Sequence, residues 1–270
     1  MVSKTTLSYT SPGDPLLKRV VINSLERITG RPKLEQMYDE LKAMNLPAIE
    51  VWGMALQQLS IETVFDQEKL QQIPAEGPLI FIANHPFGVV DGLILGYMLA
   101  QVRQKFVVLV NEVLCQTKLL SDFFLPIDFR DTREAMQINI QSRRETMDRM
   151  KQGEALAIFP AGGVSTSPKF WSKADDLEWK RFVIKMIKQT RATVIPLYIY
   201  GQNSRLFQVV SQFSPYLRLG LLIHEIRNKM GQKVYLEIGD PIPYEELSKW
   251  KDRQELLDHL RKVTYGLAKK

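Results

Sequence analysis

Cysteine is nearly absent: Cys115 is the single thiol in 270 residues, so no internal disulfide can form and the chain fits a reducing compartment. Long apolar runs are missing too. Stretches such as Pro78 to Ala83 and Phe106 to Val110 fall far short of the roughly 20 residues a bilayer-crossing helix needs, so the chain is not expected to span a membrane. The opening residues, Met1 to Thr10, have neither a basic stretch followed by an apolar one nor a small-residue cleavage site, and export is not expected. Histidine is scarce, and His85, His224 and His259 have no second ligand at i+4, which argues against a metal site. No G-x-S-x-G, P-loop or G-x-G-x-x-G occurs, and there are no repeats or low-complexity segments.

What is present is the balance of a soluble globular protein, 45% hydrophobic and 24% charged, long enough for one substantial core. The net charge of +6 is uneven, because residues 161–233 hold 12 Lys or Arg against 4 Asp or Glu. That half should meet an anionic partner: an acidic membrane, the phosphates of a nucleotide-like donor such as coenzyme A, or an acidic carrier protein. Nucleic acid fits poorly, since the basic stretch has few interleaved aromatics. A solvated basic helix face around Lys180 to Arg191 is the plain alternative.

Residues 1–62 read as an N-terminal helical segment, and 63–270 as the main domain. Asp14 with Pro15 signals a helix start, Leu16, Leu17, Val20, Val21, Leu25 and Ile28 recur at helical spacing, and Gly30 marks a stop. Two more helical stretches follow, around Leu34 to Leu41 and Ile49 to Leu59. They can cap an active site, lie on a membrane surface, or simply pack on a core. From Pro78 onward short apolar runs alternate with helical patterns, the mark of an α/β fold. Strands are expected at Leu79–Ala83, Phe106–Val110, Ala155–Phe159, Thr193–Ile199 and Val234–Ile238. Helices are expected at Asp91–Arg103, Thr132–Gln152, Leu177–Thr190 and from Pro243 toward the C-terminus.

Chemistry concentrates in Phe81-Ile-Ala-Asn-His-Pro-Phe-Gly-Val-Val-Asp-Gly92, which follows a buried strand and precedes a helix, where α/β folds place their ligands. On a continuous helix, His85 and Asp91 would point in different directions. Pro86 disfavours helix at His85 and Gly88 can take positive φ, so the segment encodes a turn that lets the two meet. A neutral imidazole can take a proton from a hydroxyl if a carboxylate holds its tautomer and stabilises the imidazolium. Spacing alone leaves the plainer reading open: Asp91 an ordinary N-cap and His85 a turn residue bonded to backbone.

These residues resemble the glycerolipid acyltransferase family, which includes lysophosphatidic acid acyltransferases. That family's first motif sets four residues between histidine and aspartate, usually after asparagine; Asn84, His85 and Asp91 match with one residue more. The wording of Asn84 to Gly92 is similar to a bacterial hemolysin-like or lyso-ornithine-lipid acyltransferase branch, where the longer spacing is normal. Leu125 to Arg130 looks like the second motif. The third, usually Phe-Pro-Glu-Gly-Thr-Arg-Ser, appears as Phe159-Pro-Ala-Gly-Gly-Val-Ser165, with Ala161 for the glutamate and Val164 for the arginine. Losing that guanidinium favours a lysolipid whose headgroup is not a phosphate. Val194 to Ile199, with Pro196 inside, and Gly239 to Pro243 resemble the fourth motif and the closing strand.

The resemblance implies a mixed, largely parallel sheet flanked by helices, with the N-terminal helical segment added. It implies catalysis by His85 and Asp91 and substrate contacts from Asn84, Phe87, Gly88, Arg130, Gly162, Gly163 and Ser165. No cofactor is expected, only an acyl-CoA or acyl carrier protein thioester as donor and a lysolipid hydroxyl as acceptor. The protein would then be cytoplasmic, peripheral on the inner face of the membrane. Two rivals share the fold: a thioesterase using the same pair on water, and a lipid-binding protein without catalysis.

Overall fold

The computed structural model describes residues 7–10, 13–128, 130, 132–169 and 171–269. Residues 1–6 of the N-terminal segment and Phe129 of the second motif lie outside the described residues. Helices α1 (Leu16–Thr29), α2 (Arg31–Ala43) and α3 (Ala48–Gln58) come first, then strand β1 (Glu62–Val64) and helix α4 (Gln67–Gln71). Helix α1 starts one residue later than expected, with Pro15 rather than Asp14 in the capping position, so proline's fixed φ sets the entry. Gly30 ends it as read from the sequence.

The rest alternates strand and helix: β2 (Leu79–Ala83), α5 (Val89–Val102), β3 (Phe106–Asn111), β4 (Phe124–Ile127), α6 (Arg133–Lys151), β5 (Ala155–Ile158), α7 (Phe182–Thr190), β6 (Thr193–Ile199), α8 (Arg205–Phe213), α9 (Pro215–Lys229), β7 (Lys233–Ile238), α10 (Tyr244–Leu247) and α11 (Arg253–Gly266). Among the described residues these strands form one sheet in the order β1-β7-β6-β2-β5-β3-β4. Every pair is parallel except β6 with β7, so the sheet is mixed and largely parallel.

Strand β2 lies inside the sheet, and its residues are buried on both faces. Leu79, Phe81 and Ala83 join Trp52 and Ile94 in one apolar cluster, while Ile80 and Ile82 join Ile184 and Leu257 in the other. This two-sided covering is why the strand reads as an unbroken apolar run rather than an alternation. The first cluster takes in residues on both sides of position 62, including Leu41, Val51 and Leu99. Gly96 makes this packing possible, since a Cβ there would lie 2.1 Å from the Trp52 ring of α3.

Several expectations need correction. The helix expected at Leu177–Thr190 begins only at Phe182, because residues 177–181 stay irregular and Trp179 turns inward to bond Asp176. The strand expected to end at Phe159 ends at Ile158. Helix α5 starts at Val89, two residues before Asp91. The final helix is two pieces, α10 and α11, the second capped by the Asp252 carboxylate on the N–H groups of Gln254 and Glu255. Strands β1 and β4 escape sequence reading because three or four residues carry too little periodic signal. Pro196 sits where pairing changes: Leu197 pairs with Ile238 of β7, but Val194 bridges Ile242, and the Gly239 N–H donates to the Pro196 carbonyl at 2.8 Å.

Candidate active site

The site grows from the carboxyl end of β2, flanked by β5 and β6. Just past the strand, Asn84 continues the ladder with its side chain: its amide donates to the Ile199 carbonyl at 2.8 Å and its oxygen accepts from the Ile199 N–H at 2.7 Å. The chain then reverses through Pro86-Phe87-Gly88. Gly88 adopts φ +91°, ψ −119°, a conformation open essentially to glycine alone, and an added Cβ would press on Val164 and Leu222.

This turn folds the His85 imidazole back onto the start of α5. Nδ1 of His85 lies 2.9 Å from Oδ2 of Asp91. The same oxygen accepts the backbone N–H groups of Phe87 at 2.8 Å and Gly88 at 2.9 Å. Asp91 is the third helical residue and not the N-cap, which is Gly88, and its carboxylate braces the first turn of the helix while holding the histidine. The carboxylate is wholly buried, while the imidazole keeps 15% exposure. Burial pushes the Asp91 carboxyl above its ordinary range, opposed by the histidine and the two N–H groups. The other face of the imidazole stacks on Phe159, with ring centroids 3.9 Å apart and 14° between planes. Nε2 makes no hydrogen bond among the described residues, so the ring is fixed with one nitrogen available to a ligand.

The loop after β5 lies against this turn. The Ser165 N–H donates to the His85 carbonyl at 2.7 Å. Gly162 takes φ +71° and its N–H is occupied by the Phe159 carbonyl at 2.9 Å. The Gly163 N–H, by contrast, has no partner among the described residues. Joining the two loops is Asp176, which sequence reasoning missed. It accepts the His85 N–H at 3.0 Å, the Ser165 hydroxyl at 2.5 Å and the Trp179 indole N–H at 2.9 Å. It belongs to no motif, and its only mark in the sequence is an acidic pair, Asp175-Asp176, inside a basic stretch.

The structure thus gathers His85, Asp91, Asn84, Phe87, Gly88, Gly162, Gly163 and Ser165 into two adjoining loops. Within them Asn84 is engaged by backbone, and the Phe87 ring lies under the Lys229 ammonium, 4.4 Å from it. Arg130 stands apart, beyond the end of β4, three strands from β2, which at about 4.8 Å per strand is on the order of 14 Å across the sheet. Its guanidinium is held by Asp128, with Nη2 at 2.5 Å, and by Glu112 at 2.9 Å.

An apolar cavity of about 180 Å³ opens beside the first turn of α5, with Val89 and Leu93 in its wall. Its other walls come from α2, α3, the 114–124 segment and α9, including Met37, Ala55, Leu120 and Ile223. Leu7 to Tyr9 line it as well, tied down by the Leu7 N–H to Glu35 at 3.1 Å and the Tyr9 N–H to Glu26 at 2.7 Å. It exceeds the roughly 150 Å³ apolar cavity known to take a benzene ring, so it is large enough for part of a hydrocarbon chain between walls that are mostly apolar.

The chain is similar to several known proteins. The family model described as Acyltransferase matches residues 38–270. A lyso-glycine lipid O-acyltransferase of Phocaeicola vulgatus is 27% identical over 264 residues, covering 93% of this chain and 88% of that protein. A second protein of that name, from Bacteroides thetaiotaomicron, is 27% identical over 211 residues, 73% of each chain. Among solved structures, the 1-acyl-sn-glycerophosphate acyltransferase PlsC of Thermotoga maritima aligns with TM-score 0.46 and 15% identity, over 93% of this chain and 95% of that one.

Proposed function

Because the chain belongs to the acyltransferase family, we propose that it moves a fatty acyl group from a thioester donor, acyl-CoA or an acyl carrier protein thioester, to the hydroxyl of a lysolipid. The observation that carries this reading is the buried Asp91 carboxylate on Nδ1 of a histidine whose Nε2 is unengaged. With Nδ1–H donating to Asp91, Nε2 is the basic nitrogen and takes the acceptor's hydroxyl proton as the oxygen attacks the thioester carbonyl. Asp91 stabilises the imidazolium so formed. The unengaged Gly163 N–H is the donor available to the developing oxyanion. When the C–S bond breaks, the imidazolium returns its proton to the departing thiolate. No cofactor enters these steps.

The apolar cavity would take the acyl chain, and lyso-glycine lipid, the substrate in the name of the two relatives, is the first acceptor to offer. Arg130 would reach a headgroup only by exchanging Asp128 or Glu112 for it. Support for work at the inner face of the cytoplasmic membrane comes from α1, where Leu17, Val20 and Ile28 form a stripe opposite the buried Ile22 and Glu26, with Leu17 77% and Ile28 81% exposed. No helix among the described residues is long and apolar enough to cross a membrane, so α1 would lie on the surface.

The test is His85→Ala in a purified, folded form, assayed for transfer with both donors. A fall of about 10²- to 10⁴-fold is expected for loss of a general base; an unchanged rate removes the proposal. Omitting the lysolipid separates the thioesterase reading, which requires free fatty acid to appear as fast without acceptor as transfer product does with it. Vesicle binding without turnover on either donor would favour the lipid-binding reading.

A further inference from the structure

Helix α9 places two cations at the site that no motif contains: Lys229, over the Phe87 ring, and Arg218. The Arg218 guanidinium is largely desolvated, which pulls its pKa below the ordinary arginine value. Its single hydrogen bond is from Nη2 to the Val164 carbonyl at 2.8 Å, and among the described residues no carboxylate pairs with it. A guanidinium offers five N–H donors in a planar fork, so four remain. Other interior cations are placed differently: Arg31 meets Glu26 and Glu35, Arg149 meets Glu154, Arg103 bonds three backbone carbonyls, and Lys229 lies over the Phe87 ring.

Its position ties it to the reacting groups. Nη2 lies 3.5 Å from where a Gly163 Cβ would be, beside Leu177, which is partly open to solvent. One turn further along α9, about 6 Å of helix rise, Leu222 faces Gly88 of the histidine turn together with Val164. The guanidinium therefore stands over the loop that supplies the unengaged Gly163 N–H, at its open side. Val164 occupies the sequence position where the third motif of the resembled family has arginine, and Arg218 brings a guanidinium to the backbone of that residue from a distant part of the chain.

We propose that Arg218 binds the anionic group of the acceptor headgroup, a carboxylate or a phosphate, and so restricts the enzyme to anionic lysolipids. This rests on the transferase reading for its substrate, but not for its binding. A planar carboxylate matches the free side of the fork in a bidentate pair, and partial desolvation strengthens that contact relative to one in water. The glycine headgroup of a lyso-glycine lipid carries such a carboxylate. The phosphates of a coenzyme A donor offer similar chemistry, so the experiment must tell donor from acceptor.

The experiment compares wild type, Arg218→Met and Arg218→Lys on lyso-glycine lipid, on its methyl ester and on lysophosphatidic acid, with the donor varied separately. Wild type is expected to prefer the free carboxylate or the phosphate over the methyl ester by about 10- to 100-fold in kcat/KM, the scale of one charge-assisted pair. Arg218→Met erases that preference through acceptor KM, and Arg218→Lys restores part of it. Equal loss on charged and esterified acceptors would show that Arg218 only holds the Val164 loop, and a change confined to donor KM would assign it to the donor phosphates; either overturns the proposal. Calorimetric titration of lyso-glycine lipid without donor reads binding alone. Weaker binding by Arg218→Met supports the proposal even where wild type shows no transfer, which would count against the transferase reading instead. Indistinguishable binding by the two proteins, or none, overturns the proposal whatever the transfer assay gives.

Discussion

Two carboxylates in this protein share nearly the same physical setting. Glu26 in α1 and Asp91 in α5 are both completely buried, both accept backbone N–H groups, both face a nitrogen base, and burial raises the pKa of each. They differ in the partner. Glu26 meets the guanidinium of Arg31, which also bonds Asn23 and pairs with Glu35 at 3.3 Å, and with the Tyr9 N–H on Glu26 and the Leu7 N–H on Glu35 this cluster ties residues 7–10 over the apolar cavity. Asp91 meets the imidazole of His85, whose second nitrogen has no hydrogen bond among the described residues. Burial of a carboxylate thus does not by itself separate the two; the proposed reactive pair is the one whose partner is an imidazole with an open side.

The sharpest way to break this comparison is Asp91→Asn. All three contacts fall on one carboxylate oxygen, so an asparagine oxygen in that place still accepts from Phe87, Gly88 and Nδ1–H, and what is lost is the negative charge that stabilises the imidazolium. A loss of about 10³- to 10⁴-fold in transfer rate is expected, with the thermal midpoint unchanged or raised because a desolvated charge has gone. Kinetics beside a melting curve on one preparation checks both; a rate within threefold of wild type would show that the carboxylate charge does not stabilise the imidazolium.

Glu26→Gln should produce the opposite profile. Its amide would oppose Arg31 with a donor, costing about 1–3 kcal/mol of stability, or roughly 2–12 °C in thermal midpoint. Catalysis at low temperature should persist, since the histidine turn is untouched. The pH dependence has a definite sign. The folded pKa of Glu26 is raised above the unfolded value of about 4.3, so its contribution is fully present below that pH and is lost as pH rises through the folded value. Urea midpoints at pH 4.5 and pH 8 should therefore show the advantage of wild type over Glu26→Gln shrinking on going to pH 8. A growing advantage would contradict the burial argument.

The smallest effect concerns the cavity beside the clamp. Ala55→Leu adds bulk to its wall and should shift donor preference toward shorter chains by about fourfold per methylene displaced, from roughly 0.8 kcal/mol of burial each. A competition among acyl donors of graded length reads this directly, and an unaltered chain-length profile would remove the cavity from the acyl path.

Much of the scaffold was legible because it is written locally. Wholly apolar runs such as Leu79 to Ala83 announce strands covered on both faces, and Pro86 with Gly88 announces the turn that joins His85 to Asp91. The short edge strands, the irregular entry to α7 and the break before Asp252 carry weak periodic signal, and there local reading went astray. Asp176 shows the deeper limit. Its partners lie 91 and 11 residues away, at His85 and Ser165, and no pattern around it distinguishes it from its neighbour Asp175.

By itself, the sequence determined the alternation of strands and helices, the polar turn at the end of a buried strand, and the basic character of residues 161–233, because each depends on residue types within one or two turns of chain. Only the tertiary structure decided which carboxylate would hold the histidine loop from across the site, that Arg130 would be occupied by its own neighbours while Arg218 kept free donors among the described residues, and that the N-terminal helices would help wall an apolar cavity beside the first turn of α5. Those outcomes depend on how elements far apart in the chain pack against one another, and packing is set by the shape and burial of the whole core rather than by any stretch of it.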